Sequence, residues 1–137
     1  MSALVLDCSV AVSWLFEDEQ DAGADALQAQ VIEQGALVPA LWLLEITNVL
    51  LQAERRKRID AAGVNERLDL FQKLPIEVDP ASSAASLLEI TTLARRHGLT
   101  SYDAAYLELA IRMDLSLATL DRQLRKAASA ESVEILP

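Results

Sequence analysis

Short apolar runs separated by long helical segments constrain the fold of this chain more than any other feature. Neighbouring parallel strands need a crossover of roughly a dozen residues or more, usually helical. Two helical segments follow each of the first three runs and one follows the fourth, which gives the order β-α-α-β-α-α-β-α-α-β-α-β. This order predicts an α/β fold with a central, mostly parallel sheet flanked by helices. The predicted strands are Ala3–Leu6, Ala36–Val38, Ile76–Val78, Leu115–Leu120 and Val133–Leu136.

Apolar residues at helical spacing predict the segments between these strands. The stretch Leu41–Arg58 is apolar around almost its whole circumference in its first half, so we expect that half to be buried. Its buried set includes Leu43, Leu44 and Leu51. Leu87 and Leu88 are expected to point inward from a later helix. The predicted helices are Val10–Phe16, Ala22–Gln34, Leu41–Arg58, Ala61–Lys73, a segment capped by Ser82 or Ser83 and ending near His97, Thr100–Met113, and Arg122–Ala130.

Length and composition fit one domain that spans residues 1–137. The lone Cys8 excludes an internal disulfide and a zinc site built from cysteine and histidine. Neither a signal peptide nor an apolar run of about 20 residues is visible, so we expect a cytoplasmic protein without a membrane segment. Trp14 and Trp42 are interpreted as core or dimer-contact residues rather than as platforms for RNA bases.

Four acidic residues stand where solvated acids are uncommon. Asp7 and Asp121 each end an apolar strand, Glu45 interrupts the most apolar helix, and Asp103 lies in the first turn of another helix. If the strands before Asp7 and Asp121 are neighbours, both carboxylates lie at the sheet edge where open α/β sheets bind ligands. Clustered carboxylates without Cys or His favour Mg²⁺ or Mn²⁺. Such an ion can activate a water and stabilise the attacking and leaving oxygens of a phosphodiester.

Each acid also has a simpler interpretation. Asp7 and Asp121 could be N-caps of the helices that follow them, and Asp103 could belong to a capping box. Glu45 could form a buried ion pair with an arginine. These alternatives explain the acids one at a time, whereas a metal site explains all four.

The net charge of −9 argues against a passive nucleic-acid binder, because such proteins usually carry a basic surface. An acidic balance is also what a cluster of metal-binding carboxylates leaves. Cations are concentrated at the end of Leu41–Arg58, where Arg55, Arg56 and Lys57 stand together. They are either a solvated helix end or contacts to an RNA backbone.

Four segments carry a resemblance to a known family: LVLDCSVAVSWLF, LLEITNVL, LTSYDAAYLELA and LATLDRQLRKAA. Together, in this order and over essentially the whole chain, they resemble the PIN-domain ribonucleases, especially the VapC toxins of bacterial toxin–antitoxin pairs. Cys8 stands where the family more often has a small or hydroxyl residue. The resemblance implies the PIN-like three-layer fold, with a parallel sheet between two layers of helices.

The resemblance also implies a function and a set of site residues. It implies RNA cleavage that depends on Mg²⁺ or Mn²⁺, a homodimer, and inhibition by a cognate VapB-type antitoxin. A basic antitoxin segment that enters the acidic groove would be complementary to the net charge of −9. The metal ligands fall on Asp7, Glu45, Asp103 and Asp121, and the residues that orient them or the water fall on Ser9, Asn48 and Thr119.

Two other functions are considered. The first is an interaction module that acts mainly in an antitoxin-bound, autoregulatory complex on operator DNA. The second is a metal-dependent phosphatase. The segment Asp7-Cys8-Ser9 contains no second Asp to act as an acid, which disfavours an aspartyl-phosphate route.

Overall fold

The centre of the protein is a five-stranded sheet in which every strand is parallel to its neighbours. The structure is a computed structural model that describes residues 4–80 and 84–137. The strands are β1 (Leu4–Leu6), β2 (Ala36–Val38), β3 (Ile76–Val78), β4 (Ser116–Ala118) and β5 (Ile135–Leu136). Their order across the sheet is β3-β2-β1-β4-β5, which confirms the predicted α/β class.

The helices follow the predicted order along the chain. They are α1 (Cys8–Ser13), α2 (Ala22–Gln34), α3 (Leu41–Arg55), α4 (Ala61–Gln72), α5 (Ala84–His97), α6 (Ser101–Met113) and α7 (Arg122–Ala130), with a 3₁₀ turn at Glu17–Glu19. None of the helices within the described ranges is long and apolar enough to cross a membrane. The predicted caps Ser82 and Ser83 lie outside the described residues.

Strand β1 lies in the middle of the sheet, and all three of its side chains are fully buried. Burial on both faces explains why its sequence is an uninterrupted apolar run rather than an alternating one. Because β1 pairs in parallel with β4, with Leu6 opposite Ala118, the two strands end at the same edge of the sheet. The strands before Asp7 and Asp121 are therefore neighbours, which is the condition for both residues to lie at one edge of the sheet.

Helix α3 departs from the prediction that its first half is buried all round. Trp42 and Ile46 are buried, but Leu43, Leu44 and Leu51 are 49%, 73% and 42% exposed. The helix packs against α1 and α4, and its buried residues are Trp42, Ile46, Leu50 and Ala53. Residues three or four apart share a helix face, so the remaining leucines face outward.

Helix α5 shows the same difference. Leu93 is buried as predicted, whereas Leu87 and Leu88 are 64% and 67% exposed, so the prediction that they point inward was wrong.

Trp42 belongs to the core, as predicted: its ring packs edge-on against Phe71, with 5.3 Å between the ring centroids. The Trp14 indole N–H donates to the Ala24 carbonyl oxygen. Trp42 is therefore a core residue, and Trp14 is partly buried against the same core.

Candidate metal site

The edge of the sheet where β1 and β4 end carries the candidate site. The Asp7 N–H donates to the Ala118 carbonyl at 2.9 Å and so continues the pairing of β1 with β4 by one residue. Thr119, Leu120 and Asp121 follow β4 directly. The parallel pairing therefore brings chain segments more than a hundred residues apart to one place.

Asp7 is the most buried of the four acids, with 6% of its surface exposed. It precedes α1 in the N-cap position, but its side chain makes no capping hydrogen bond. Instead, its Oδ2 accepts hydrogen bonds from Ser9 Oγ at 2.6 Å and from Thr119 Oγ1 at 2.7 Å. Asp7 therefore holds the N-cap position of α1, but its carboxylate is bonded to the two hydroxyls and does not cap the helix.

Backbone N–H groups orient both of these hydroxyls. The Leu120 N–H donates to Ser9 Oγ at 2.9 Å, and the Asp121 N–H donates to Thr119 Oγ1 at 3.1 Å. Each hydroxyl has one proton to give. Because each already accepts from the backbone, its own proton points at Asp7. The loop after β4 is thereby tied to the start of α1 through one carboxylate oxygen.

Glu45 lies on α3, half-buried, and its Oε1 accepts a hydrogen bond from the Tyr106 hydroxyl. Among the residues that the structure describes, no arginine forms an ion pair with it, so the ion-pair alternative was wrong. Sequence reasoning missed Tyr106. The available signal was its spacing of three residues from Asp103, which places both on one face of α6.

Asp103 and Asp121 both lie at helix starts. Thr100 Oγ1 accepts a hydrogen bond from the Asp103 N–H at 3.1 Å, which confirms the predicted cap of α6. Asp121 Oδ1 accepts from the Leu124 N–H at 2.8 Å, so Asp121 does cap α7. Capping occupies one oxygen of Asp121, so it does not conflict with a ligand role for the other.

These four residues, called the acidic site below, affect one another electrostatically. Burial raises the pKa of Asp7, and the Asp121 carboxylate raises it further, against the lowering effect of its hydroxyl donors. The pKa values of Glu45 and Asp103 are also raised, first by burial and then by neighbouring carboxylates, Asp7 among them. Within residues 4–80 and 84–137, no ion pair reaches any of the four.

The donor chemistry fits a hard divalent cation. Every available donor at the acidic site is oxygen; nearby Cys8 is buried, and its thiol pKa is raised by burial. Among the described residues, no three Asp, Glu, Cys or His side chains lie close enough together to coordinate one ion at the same time. Mg²⁺ usually keeps several waters and binds through one or two carboxylates, so it does not require such a closed cage.

Asn48 lies on the same face of α3 as Glu45, three residues further on. It is exposed and lines a cavity of about 450 Å³ whose wall also includes Leu44, Glu45 and Tyr102. Nothing within the described ranges bonds its side chain to a carboxylate of the acidic site. Its predicted orienting role stays a prediction.

The basic residues Arg55, Arg56 and Lys57 are exposed at the other end of α3. With a rise of about 1.5 Å per residue, the end of the helix lies roughly 15 Å from Glu45 along the axis. The next cation, Arg58, is used differently: it pairs with Asp18 and Glu19 and lies over the Phe16 ring. The first three are thus open to a ligand, whereas Arg58 holds the 3₁₀ turn.

Comparison with known proteins adds a family and its fold. The family model for the PIN domain matches residues 4–130. Ribonuclease VapC3 from Pyrobaculum aerophilum is 34% identical over 125 residues, which cover 88% of this chain and 91% of that protein.

Three solved structures share the fold at lower identity. PAE2754 from Pyrobaculum aerophilum has a TM-score of 0.72 at 24% identity, covering 92% of this chain and 84% of its own. FitAcB from Neisseria gonorrhoeae has a TM-score of 0.70 at 20% identity, covering 98% and 96%. VapBC2 from Rickettsia felis, bound to a DNA fragment from its promoter, has a TM-score of 0.68 at 13% identity, covering 97% and 96%.

The raised pKa of Asp7 predicts how stability depends on pH in the absence of divalent cations. A raised pKa means that the folded state binds more protons than the unfolded state, so this group lowers the free energy of unfolding as pH rises above about 3.8. Asp7→Asn should therefore be more stable than the wild type at neutral pH, by a margin that shrinks towards pH 4. Urea unfolding in EDTA measures this difference.

Asp69→Asn is the matched control. Asp69 forms an exposed ion pair with Lys73, an interaction worth little, so its variant should follow the wild type at every pH. If the difference in free energy of unfolding between Asp7→Asn and the wild type does not change with pH, the electrostatic account of the site is contradicted.

Proposed function

Because this chain belongs to the PIN-domain family and to its VapC-like ribonucleases, we propose that it hydrolyses RNA phosphodiester bonds with Mg²⁺ or Mn²⁺ held at the acidic site. One observation carries the proposal. Burial and neighbouring carboxylates raise the pKa values of Asp7, Glu45 and Asp103, which lie on separate elements, and no cationic side chain of the described residues pairs with them. Such an arrangement is costly at neutral pH unless a cation binds.

When bound, a divalent cation supplies an activated water and offsets the charge that develops on the phosphodiester. The chain's own residues prepare for it. Ser9 and Thr119 occupy Oδ2 of Asp7 with neutral donors, which favour the ionised carboxylate and fix its orientation. Asp121 is held by its cap to α7, and Asp103 is fixed in the first turn of α6.

RNA as the substrate is supported by the name of the 34% identical relative, Ribonuclease VapC3. The net charge of −9 opposes the approach of a polyanion. Binding therefore requires a positively charged region on the surface, and the exposed cations Arg55, Arg56 and Lys57 provide one. We assign them to contacts with the RNA backbone.

A VapB-type antitoxin is the proposed partner. The Rickettsia felis structure of the same fold is a VapBC2 complex, and an acidic surface around the site suits a basic inhibitory segment. We further propose a homodimer in the cytoplasm. The exposed leucines of α3 and α5 support a contact with a second copy.

The alternative function is an interaction module that acts mainly in an antitoxin-bound autoregulatory complex. It is favoured by one observation, which is that VapBC2 was crystallised on promoter DNA. In that case the acids would serve only as a docking surface, and the purified protein would not cleave RNA.

Asp7→Asn and Asp103→Asn test the two functions. Each substitution removes one negative ligand without changing size, so Mg²⁺-dependent cleavage should fall by more than about 100-fold while circular dichroism stays that of the wild type. The measurement is cleavage of total RNA by purified protein with and without Mg²⁺ or Mn²⁺. Asp69→Asn should cleave at the wild-type rate. Full metal-dependent cleavage by both site variants would contradict the assignment, and no cleavage by the wild type would favour the interaction module.

The basic residues at the end of α3 make a separate prediction. Arg56→Ala should raise KM for RNA several-fold and leave kcat unchanged, because a backbone contact acts on binding. The slope of log affinity against log salt concentration should fall by about 1. Arg95→Ala, which removes an exposed cation of α5, is the control and should change neither quantity. Equal effects of the two substitutions would show that only net charge matters.

A further inference from the structure

Tyr106 lies in the middle of α6 with none of its surface exposed, and it is one of the largest fully buried side chains of the described residues. Its hydroxyl donates a hydrogen bond to Oε1 of Glu45, which lies on α3 and is 61 residues earlier in the chain. This bond links the two helices at the acidic site.

The hydroxyl of Tyr106 is not needed for packing. A phenylalanine ring would fill nearly the same space, and a buried hydroxyl without a partner is unfavourable. The group is accommodated because Glu45 accepts its proton, so its contribution lies in what it does to Glu45. A hydrogen bond to one carboxylate oxygen restricts the side-chain rotamer and fixes where the other oxygen can lie.

The position of Tyr106 on α6 strengthens this reading. Asp103 lies three residues earlier on the same face of that helix, and α6 packs against β1, the strand that Asp7 follows. One helix therefore places the Asp103 carboxylate itself and, through the Tyr106 hydroxyl, the Glu45 carboxylate.

Asp7 is held in a comparable way. Ser9 and Thr119 both bond to its Oδ2, and Tyr106 bonds to Oε1 of Glu45. In both acids one oxygen is taken by uncharged hydroxyl donors, which leave the negative charge in place. We propose that Tyr106 is a positioning residue, which holds Glu45 in the orientation that binds the divalent cation. This inference rests on the proposed function of the acidic site.

The test measures Mn²⁺ affinity of the full-length protein without RNA, by isothermal titration calorimetry. Tyr106→Phe should bind Mn²⁺ about 10- to 100-fold more weakly than the wild type, the range typical for residues that orient metal ligands. The matched control is Ser13→Ala, which also removes a buried hydroxyl, one that donates to the Val10 carbonyl. It should leave Mn²⁺ affinity within about twofold of the wild type even where it lowers Tm.

A double-mutant cycle separates positioning from general damage to the fold. Tyr106→Phe should weaken Mn²⁺ binding no more than Glu45→Ala does, and adding it to Glu45→Ala should cause a further loss of less than about twofold. Additive losses in the double variant would overturn the inference, because Tyr106 would then act by another route than Glu45. Wild-type affinity in Tyr106→Phe would also overturn it.

Asp7→Asn distinguishes the two levels of the proposal. If it strongly weakens Mn²⁺ binding while Tyr106→Phe does not, the metal site is supported and the positioning role of Tyr106 is contradicted. If the wild-type protein itself binds no Mn²⁺, both the metal site and the positioning role of Tyr106 are contradicted.

Discussion

The repulsion among carboxylates at one edge of the sheet is the constraint on which the rest of the site depends. Asp7 is nearly buried, and it meets the charges of other acids within the same region. Burial weakens the solvent screening of these charges, so neighbouring carboxylates add to the effect of burial and raise the pKa values of Asp7, Glu45 and Asp103. The fold must therefore hold the acids in place without neutralising them.

Hydroxyl groups meet this requirement where cationic side chains would not. An arginine beside Asp7 would satisfy its charge and so compete with a metal ion for the same carboxylate. Ser9 and Thr119 instead donate one neutral hydrogen bond each, and backbone N–H groups aim both hydroxyls. The site thus keeps its negative charge while its geometry is fixed, which is the state that a divalent cation stabilises.

Local signals explain which elements could be predicted from the sequence. Helix α2 has the predicted ends because Asp21 caps its start and Gly35, at φ +81°, ends it. Helix α1 begins at Cys8, two residues before the predicted Val10, because Asp7 takes the N-cap position.

Non-local contacts could not be predicted from such local signals. The periodicity of α3 does not show which face of the helix other elements cover, and Tyr106 bonds to a residue 61 positions away. The four acids were found because their positions are local features: two follow strands, one lies in the first turn of a helix and one interrupts an apolar helix. Their mutual distances depend instead on the order of the strands.

Diffraction from crystals soaked in Mn²⁺, with data collected at a wavelength where manganese scatters anomalously, tests the central claim most directly. The account predicts an anomalous peak between Asp7 and at least one other carboxylate of the acidic site, with Oδ2 of Asp7 still bonded to Ser9 and Thr119. Manganese peaks only elsewhere on the surface, with the acidic site unchanged, would contradict it.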